Sequence, residues 1–162
     1  MAKLHETIRA HENALERLTS RIPGFRGYRD REARREADKL LREHGARELE
    51  RIVRELHEHA AKAALDELED VSEVVAQAEK LTRELRFADR GYSGFFDDVK
   101  LDSAEALDSV YERDERVVAQ ISEIAAQLES GELRVPALRA LLKKLGLSLA
   151  DRRGAILGLG SR

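Results

Sequence analysis

The sequence predicts an all-α protein, folded as an antiparallel up-down four-helix bundle with a short C-terminal amphipathic helix. Charged residues make up 38% of the 162 residues and only two are proline, a composition typical of long helices. Apolar residues recur at steps of three and four, which places them on one face of a helix. No strand pattern or internal repeat is evident in the sequence. Helices joined by short loops pack antiparallel to one another.

The first two predicted helices lie on either side of a proline–glycine stop. The first covers about residues 3–21 and ends before Pro23 and Gly24. The second begins near Asp30, and its apolar face continues past Gly45, which weakens a helix by about 1 kcal/mol relative to alanine without breaking it.

Whether residues 30–88 form one helix or two is open from the sequence. The apolar stripe continues through residues 61–75, but one helix of about 60 residues would be roughly 90 Å long. The segment "DVSE" at 70–73 has an N-capping acid with a glutamate three residues later. We therefore expect a break near 67–71 and a third helix that runs to about residue 88.

The fourth helix is expected over about 103–129, with Asp102 or Ser103 as its N-cap and Gly131 after its end. A short cationic helix follows in "VPALRALLKKLG", and the rest of the chain is interpreted as a tail.

The charge distribution suggests two domains, a helical bundle over 1–130 and a basic C-terminal helix and tail over 131–162. The net charge of the chain is −3, yet the C-terminal part has seven basic and two acidic residues. Such a basic end either contacts an anionic partner or packs on the acidic body.

Several functional classes are disfavoured by composition. Cysteine is absent, so a disulfide or a thiolate site is excluded. No apolar run has the roughly 18–20 residues of a membrane span, and the N-terminal residues lack the apolar core of a secretory signal. We therefore expect a cytoplasmic protein without a transmembrane segment.

Two glycine-containing loops hold five of the seven aromatic residues. These candidate interaction residues are Phe25, Tyr28, Tyr92, Phe95 and Phe96. The first and third loops of an up-down bundle lie at the same end. The rings would either close the apolar core there or form an exposed patch that binds a partner, and we favour the first arrangement.

Polar residues interrupt the apolar stripes at His11 and Asp114, and His44 lies near the inner edge of the second helix. His11 and Asp114 are each about 16 Å from the aromatic end at the helical rise, so they could pair, and the carboxylate would raise the histidine pKa. The pair would serve as a polar layer that fixes helix register. The alternatives are a histidine at the rim, or a metal or acid–base site.

The sequence lacks the motifs of common enzymes. Di-metal carboxylate bundles need a glutamate three residues before a histidine, and none of the inspected histidines, His11, His44, His57 and His59, has one. Zinc-protease, phosphate-loop and dinucleotide-binding motifs are also absent. We therefore predict no cofactor, with a metal ion at His11, His44 and Asp114 as the alternative, and we favour a protein that is not an enzyme.

The predicted C-terminal helix has leucines on one side and basic residues on the other. The candidate membrane- or partner-binding residues are Arg139, Leu142, Lys143 and Lys144. Such a helix binds an anionic membrane surface or a partner groove, or packs on its own bundle. Nucleic-acid binding is not expected, because the basic residues within 29–39 are matched by acidic residues at helical contact spacing.

The segments "IPGFRGYRDREARREADKLLREH" and "RFADRGYSGFFDDVK" resemble a bacterial family of all-helical proteins that share the signatures IPGF-x-GY and GY-x-GFFD and have no known activity. The resemblance covers about residues 20–130 and implies a bundle without catalytic residues. The final "GAILGLGSR" resembles peptides that load cargo into encapsulin shells, although Arg162 stands where an apolar residue usually follows.

The leading hypothesis is a non-enzymatic helical bundle that acts by protein–protein interaction or self-assembly. The alternatives are a metal-binding or redox bundle, which would fit an encapsulated cargo protein, and a peripheral membrane protein bound through its basic C-terminal helix.

Overall fold

The computed structural model of the chain describes residue 6 and residues 14–28, 30–88 and 103–160. The regular structure within these residues is helical, which confirms an all-α protein. The helices are α1 at 14–21, α2 at Arg31–Lys62, α3 at Leu68–Phe87, α4 at Ala104–Glu129 and α5 at Val135–Gly160. None of these helices is long and apolar enough to cross a membrane, as far as the described residues extend.

Two helix starts follow the capping chemistry of the sequence. The Asp30 side chain accepts a hydrogen bond from the Ala33 amide at 2.9 Å, and Ser103 accepts one from the Ala106 amide at 3.1 Å. Each bond satisfies an amide that has no partner inside its helix. After α4, Gly131 adopts a left-handed backbone with φ +79°, the conformation that lets glycine end a helix.

Residues 30–88 form two helices, because α2 ends at Lys62 and α3 begins at Leu68. The predicted cap at Asp70 is wrong, since Asp70 lies in the first turn of α3 and the N-cap residue is Glu67. The Glu67 side chain makes no capping hydrogen bond, so the acids Glu69 and Asp70 stabilise this helix start through the helix dipole instead.

The C-terminal helix is longer than the sequence analysis predicts. Helix α5 has 26 residues and includes the segment that the sequence predicts as a tail. Pro136 lies in its first turn, where a missing amide hydrogen costs no helical bond. The buried stripe of Leu138, Leu142 and Leu145 continues to Ile156, so the helix extends because its apolar face does.

The main apolar core lies between α2, α3, α4 and α5. Helix α2 packs against α3 and α4, and α5 packs against the same two helices. The core residues, which come from all four helices, include Leu49, Leu56, Val74, Leu81, Ile121, Ile124, Leu138 and Leu142. A second cluster joins α1 and the segment before α2 to α2 and α4, and it includes Leu18, Ile22, Phe25, Tyr28, Leu41, Val110 and Val118.

Cross-helix ion pairs define the ends of this packing. Arg139 near the start of α5 lies 2.9 Å from Asp70 and 3.0 Å from Glu73 near the start of α3, and each of these two helices directly follows a turn. The turns at 63–67 and 130–134 are therefore at the same end, which we call the turn pole.

Candidate functional site

A network of buried hydrogen bonds connects α2, α4, α5 and the segment before α2. Asp114 Oδ1 accepts from Arg152 Nε at 2.6 Å, and Arg152 Nη2 donates to Asp38 Oδ1 at 2.8 Å. Arg42 Nε donates to Asp38 Oδ2 at 2.7 Å, while the Tyr28 hydroxyl donates to Asp114 Oδ2. We call these five residues the polar network.

The polar network is electrically balanced, with two carboxylates and two guanidinium groups. Its four charged side chains are at most 6% exposed, so each charge depends on its partners rather than on water. Burial raises the pKa of Asp114, while the Arg152 guanidinium and the Tyr28 hydroxyl oppose that rise. Burial alone would lower the pKa of Arg152, but Asp114 and Asp38 raise it well above the usual value.

Tyr28 links this network to the aromatic residues of the first loop. Its ring lies edge-on to Phe25 with centroids 6.0 Å apart, and its amide donates to the Tyr111 hydroxyl at 2.8 Å. Phe25 and Tyr28 are both buried, so these two predicted interaction residues close a core. Tyr92, Phe95 and Phe96 lie outside the described residues.

Gly27 allows the backbone of the first loop to lie close to the Tyr111 hydroxyl. Its φ of +84° is strained for other residues, and a Cβ there would collide with the Tyr111 hydroxyl.

The predicted pair of His11 and Asp114 stays a prediction. The two oxygens of Asp114 are bonded to Arg152 and Tyr28, and His11 lies outside the described residues. His44 is half-buried on α2; burial lowers its pKa, Arg47 and Arg21 add to this, and Glu48 opposes it. Within the described part of the chain, no group of three or more metal-ligating side chains could hold a metal ion.

Sequence reasoning missed three members of the polar network: Asp38, Arg42 and Arg152. A signal for each exists in the sequence. Asp38 and Arg42 are four residues apart and directly follow the apolar residues Ala37 and Leu41 of the α2 stripe. Arg152 lies seven residues after the buried Leu145, which places it on the same helical face.

A cavity of about 540 Å³ lies beside the polar network, between α3 and α5. Its described wall includes Arg42 and Arg152 of the network, together with Leu85 and Leu149. Arg153 and Glu84 contribute further charge at this wall. Serine, threonine and histidine, which serve as nucleophiles or bases, do not occur in the described lining.

A groove, also of about 540 Å³, opens at the turn pole between the starts of α3 and α5. We call it the turn groove; its apolar lining is Val71, Leu133, Val135, Pro136 and Ala137, and its charged lining is Glu67, Asp70 and Arg134. In the segment of the chain next to the groove, Leu65 is 91% exposed and Leu68 is 38% exposed. The pole therefore combines a groove with projecting leucines.

The C-terminal candidate residues have separate environments. Leu142 is buried in the main core, while Lys143 and Lys144 are exposed. Arg139 donates to Asp70 at 2.9 Å and to Glu73 at 3.0 Å, both on α3. The leucine face of this helix thus packs on the rest of the protein, which leaves it unavailable to a membrane surface in this fold.

Comparison of the chain with family models, with curated proteins and with solved structures gives no match. The resemblance carried by the two loop signatures stays a prediction, and function has to be inferred from the geometry of the chain itself.

Proposed function

We propose that the protein is a non-enzymatic helical bundle that acts by contact with another protein, and that the turn groove is its contact surface. In this proposal α2, α3, α4 and α5 form an up-down four-helix arrangement. Helix α5 takes the position that the sequence analysis gave to the first helix.

The observation that carries the proposal is the exposure of Leu65 beside an open apolar groove. Full burial of one leucine contributes about 1.5–3 kcal/mol, so a partner that covered Leu65 would gain a large part of this free energy. Leu68, which is 38% exposed, directly follows the groove residue Glu67 in the chain, and Leu133 and Val135 line the groove itself. Contiguous apolar surface with a charged rim is typical of interaction sites.

The polar network supports a structural role for the opposite half of the molecule. Its carboxylates and guanidinium groups are already paired with one another, so they hold helices together. A paired and buried network of this kind favours one register of the helices.

The test is capture of proteins from an extract of cells that express the chain, with purified protein as bait. We expect the wild type to retain a partner that Leu65→Ser/Leu68→Ser loses. Leu147→Ser is the matched control, because Leu147 is also exposed, at 65%, but lies on α5 away from the turns. Equal capture by all three baits, with light scattering showing one unchanged mass, would contradict the proposal.

A further inference from the structure

We infer that the partner of the turn groove is a cationic amphipathic helix, with leucine-type residues on one face and lysine or arginine beside them. This inference rests on the proposed function, and it adds the chemistry of the partner. Three features of the turn pole support it: its net charge, the lack of ion-pair partners for several of its carboxylates, and the lining of the groove.

The turn pole is strongly acidic. Residues 62–73 and 129–139 together have seven acidic and three basic side chains. Two of the bases are already engaged, since Arg134 pairs with Glu132 at 2.9 Å and Arg139 pairs with Asp70 and Glu73. Glu129 is paired as well, with Arg51 of α2 at 3.6 Å, so the negative charge that remains to attract cations lies at Asp66, Glu67 and Glu69.

Several carboxylates at the pole are exposed without an ion pair. Asp66, Glu67 and Glu69 have none among the described residues, and all three side chains are exposed. They directly neighbour the exposed Leu65 and Leu68 in the sequence, so the carboxylates lie close to both leucines. A partner that buries these leucines must place groups beside the carboxylates, and lysine or arginine side chains there would be attracted.

The lining of the groove suits a helix. The groove lies between the starts of two packed helices, and its apolar lining is Val71 of α3, Leu133 before α5, and Val135, Pro136 and Ala137 at the start of α5. An amphipathic helix binds such a groove with apolar residues at i, i+3 or i+4, and i+7. The leucines beside the groove would contact the flanks of that apolar face.

The experiment uses two labelled synthetic helical peptides with identical leucine spacing. In the first peptide all positions other than leucine are lysine, and in the second peptide these positions are glutamate. Binding to the full chain is measured by fluorescence anisotropy at about 50 and about 300 mM salt, since screening shortens the range of charge interactions. We expect the lysine peptide to bind at least about 10-fold more tightly than the glutamate peptide, a difference of about 1.4 kcal/mol.

Two variants and one control locate the site. Leu65→Ser/Leu68→Ser should weaken binding of the lysine peptide by about 10-fold or more, an effect of at least about 1.4 kcal/mol. Asp66→Asn/Glu67→Gln should weaken it about 3-fold or more and reduce its dependence on salt. Glu112→Gln/Glu123→Gln removes the same charge from exposed positions on α4 and should leave the affinity unchanged.

The possible results separate the two proposals. If the glutamate peptide binds as tightly as the lysine peptide and both depend on Leu65, the groove is a contact site but the cationic partner is wrong. If the α4 control weakens binding of the lysine peptide as much as Asp66→Asn/Glu67→Gln does, and Leu65→Ser/Leu68→Ser does not weaken it, the attraction is general and the inference fails. If neither peptide binds while the leucine variant still loses a captured protein, the inference fails and the proposed function stands. Leucine-dependent self-association of the wild type at rising concentration, without peptide binding, would identify a second copy as the occupant and overturn the inference.

Discussion

At the scale of single residues, Asp114 is the centre of the buried polar network. It joins Arg152 of α5 to Tyr28 before α2, and its side chain is fully buried. Because water cannot replace either partner, removal of its charge leaves Arg152 with Asp38 as its remaining carboxylate. Breaking a buried pair from one side costs more than the pair contributes, since an uncompensated charge is left behind.

We expect Asp114→Asn to lower the free energy of unfolding by about 3–5 kcal/mol. Urea denaturation followed by circular dichroism measures this change. Asp151→Asn is the control, since Asp151 pairs with Arg113 on the surface and should cost no more than about 1 kcal/mol. Similar losses for the two variants would mean that the network does not stabilise the fold as the geometry implies.

The second prediction at this scale concerns pH and His44. Burial lowers the pKa of His44 in the folded protein, so the unfolded chain binds a proton more readily than the folded chain. Stability is therefore fully present above the unfolded pKa of about 6.5 and is lost as pH falls through that value towards the lowered folded pKa.

His44→Gln removes this titration. The urea midpoint of the wild type should fall relative to that of His44→Gln between about pH 7.5 and pH 5. His57→Gln is the comparison variant, because His57 is exposed beside Glu79 at 3.1 Å. A wild-type midpoint that rises relative to His44→Gln on acidification would show that the histidine is stabilised in its charged form.

At the scale of helices, the sequence predicted those features that depend on nearby residues. The start of α2 near Asp30, the Ser103 cap and the glycine stop after α4 depend on residues within one turn, and the structure has them. The sequence predicts the start of α3 at Asp70 instead of Leu68. The true N-cap, Glu67, makes no capping hydrogen bond, so no capping pattern in the sequence indicates it.

The partner of Asp114 depends on tertiary packing and was missed for that reason. Arg152 is 38 residues away along the chain, and no local pattern at either residue identifies the other as its partner. Only the continued apolar face of α5, from Leu138 to Ile156, could have indicated that this arginine points inward.

Two glycines inside helices should respond oppositely to alanine. Gly154 of α5 has open space around it, so Gly154→Ala should stabilise the protein by up to about 1 kcal/mol through helix propensity. At Gly45 of α2, a Cβ would lie 3.1 Å from Leu85 and 3.2 Å from Ile121. Overpacking there should exceed the propensity gain and give a net loss of about 1 kcal/mol.

Thermal unfolding of the two glycine variants beside the wild type measures both effects. A gain in stability from Gly45→Ala would indicate that α3 and α4 can move away from α2 at little cost. No gain from Gly154→Ala would indicate that helix propensity does not limit stability at this position of α5.

At the scale of the whole molecule, α5 connects the two ends of the fold. Leu138, Leu142 and Leu145 fill the main core, and Arg152 completes the polar network near the opposite end. Its leucines contact the same buried cluster as α2, α3 and α4, so the chain shares one main core across the proposed boundary between 1–130 and 131–162.

This sharing predicts the result of removing residues 131–162. The remaining chain would expose the inner faces of α3 and α4 and would leave Asp114 without Arg152, so we expect it to lose cooperative urea unfolding and to bind a hydrophobic dye. Leu142→Ala, a milder change, should cost about 2–5 kcal/mol, whereas Leu147→Ala at an exposed site of the same helix should have little effect. If residues 1–130 instead unfold cooperatively with the midpoint of the full chain, α5 is an appendage and the division at residue 130 describes two independent units. The structure favours the first outcome, because a core that takes three fully buried leucines from one helix cannot close without it.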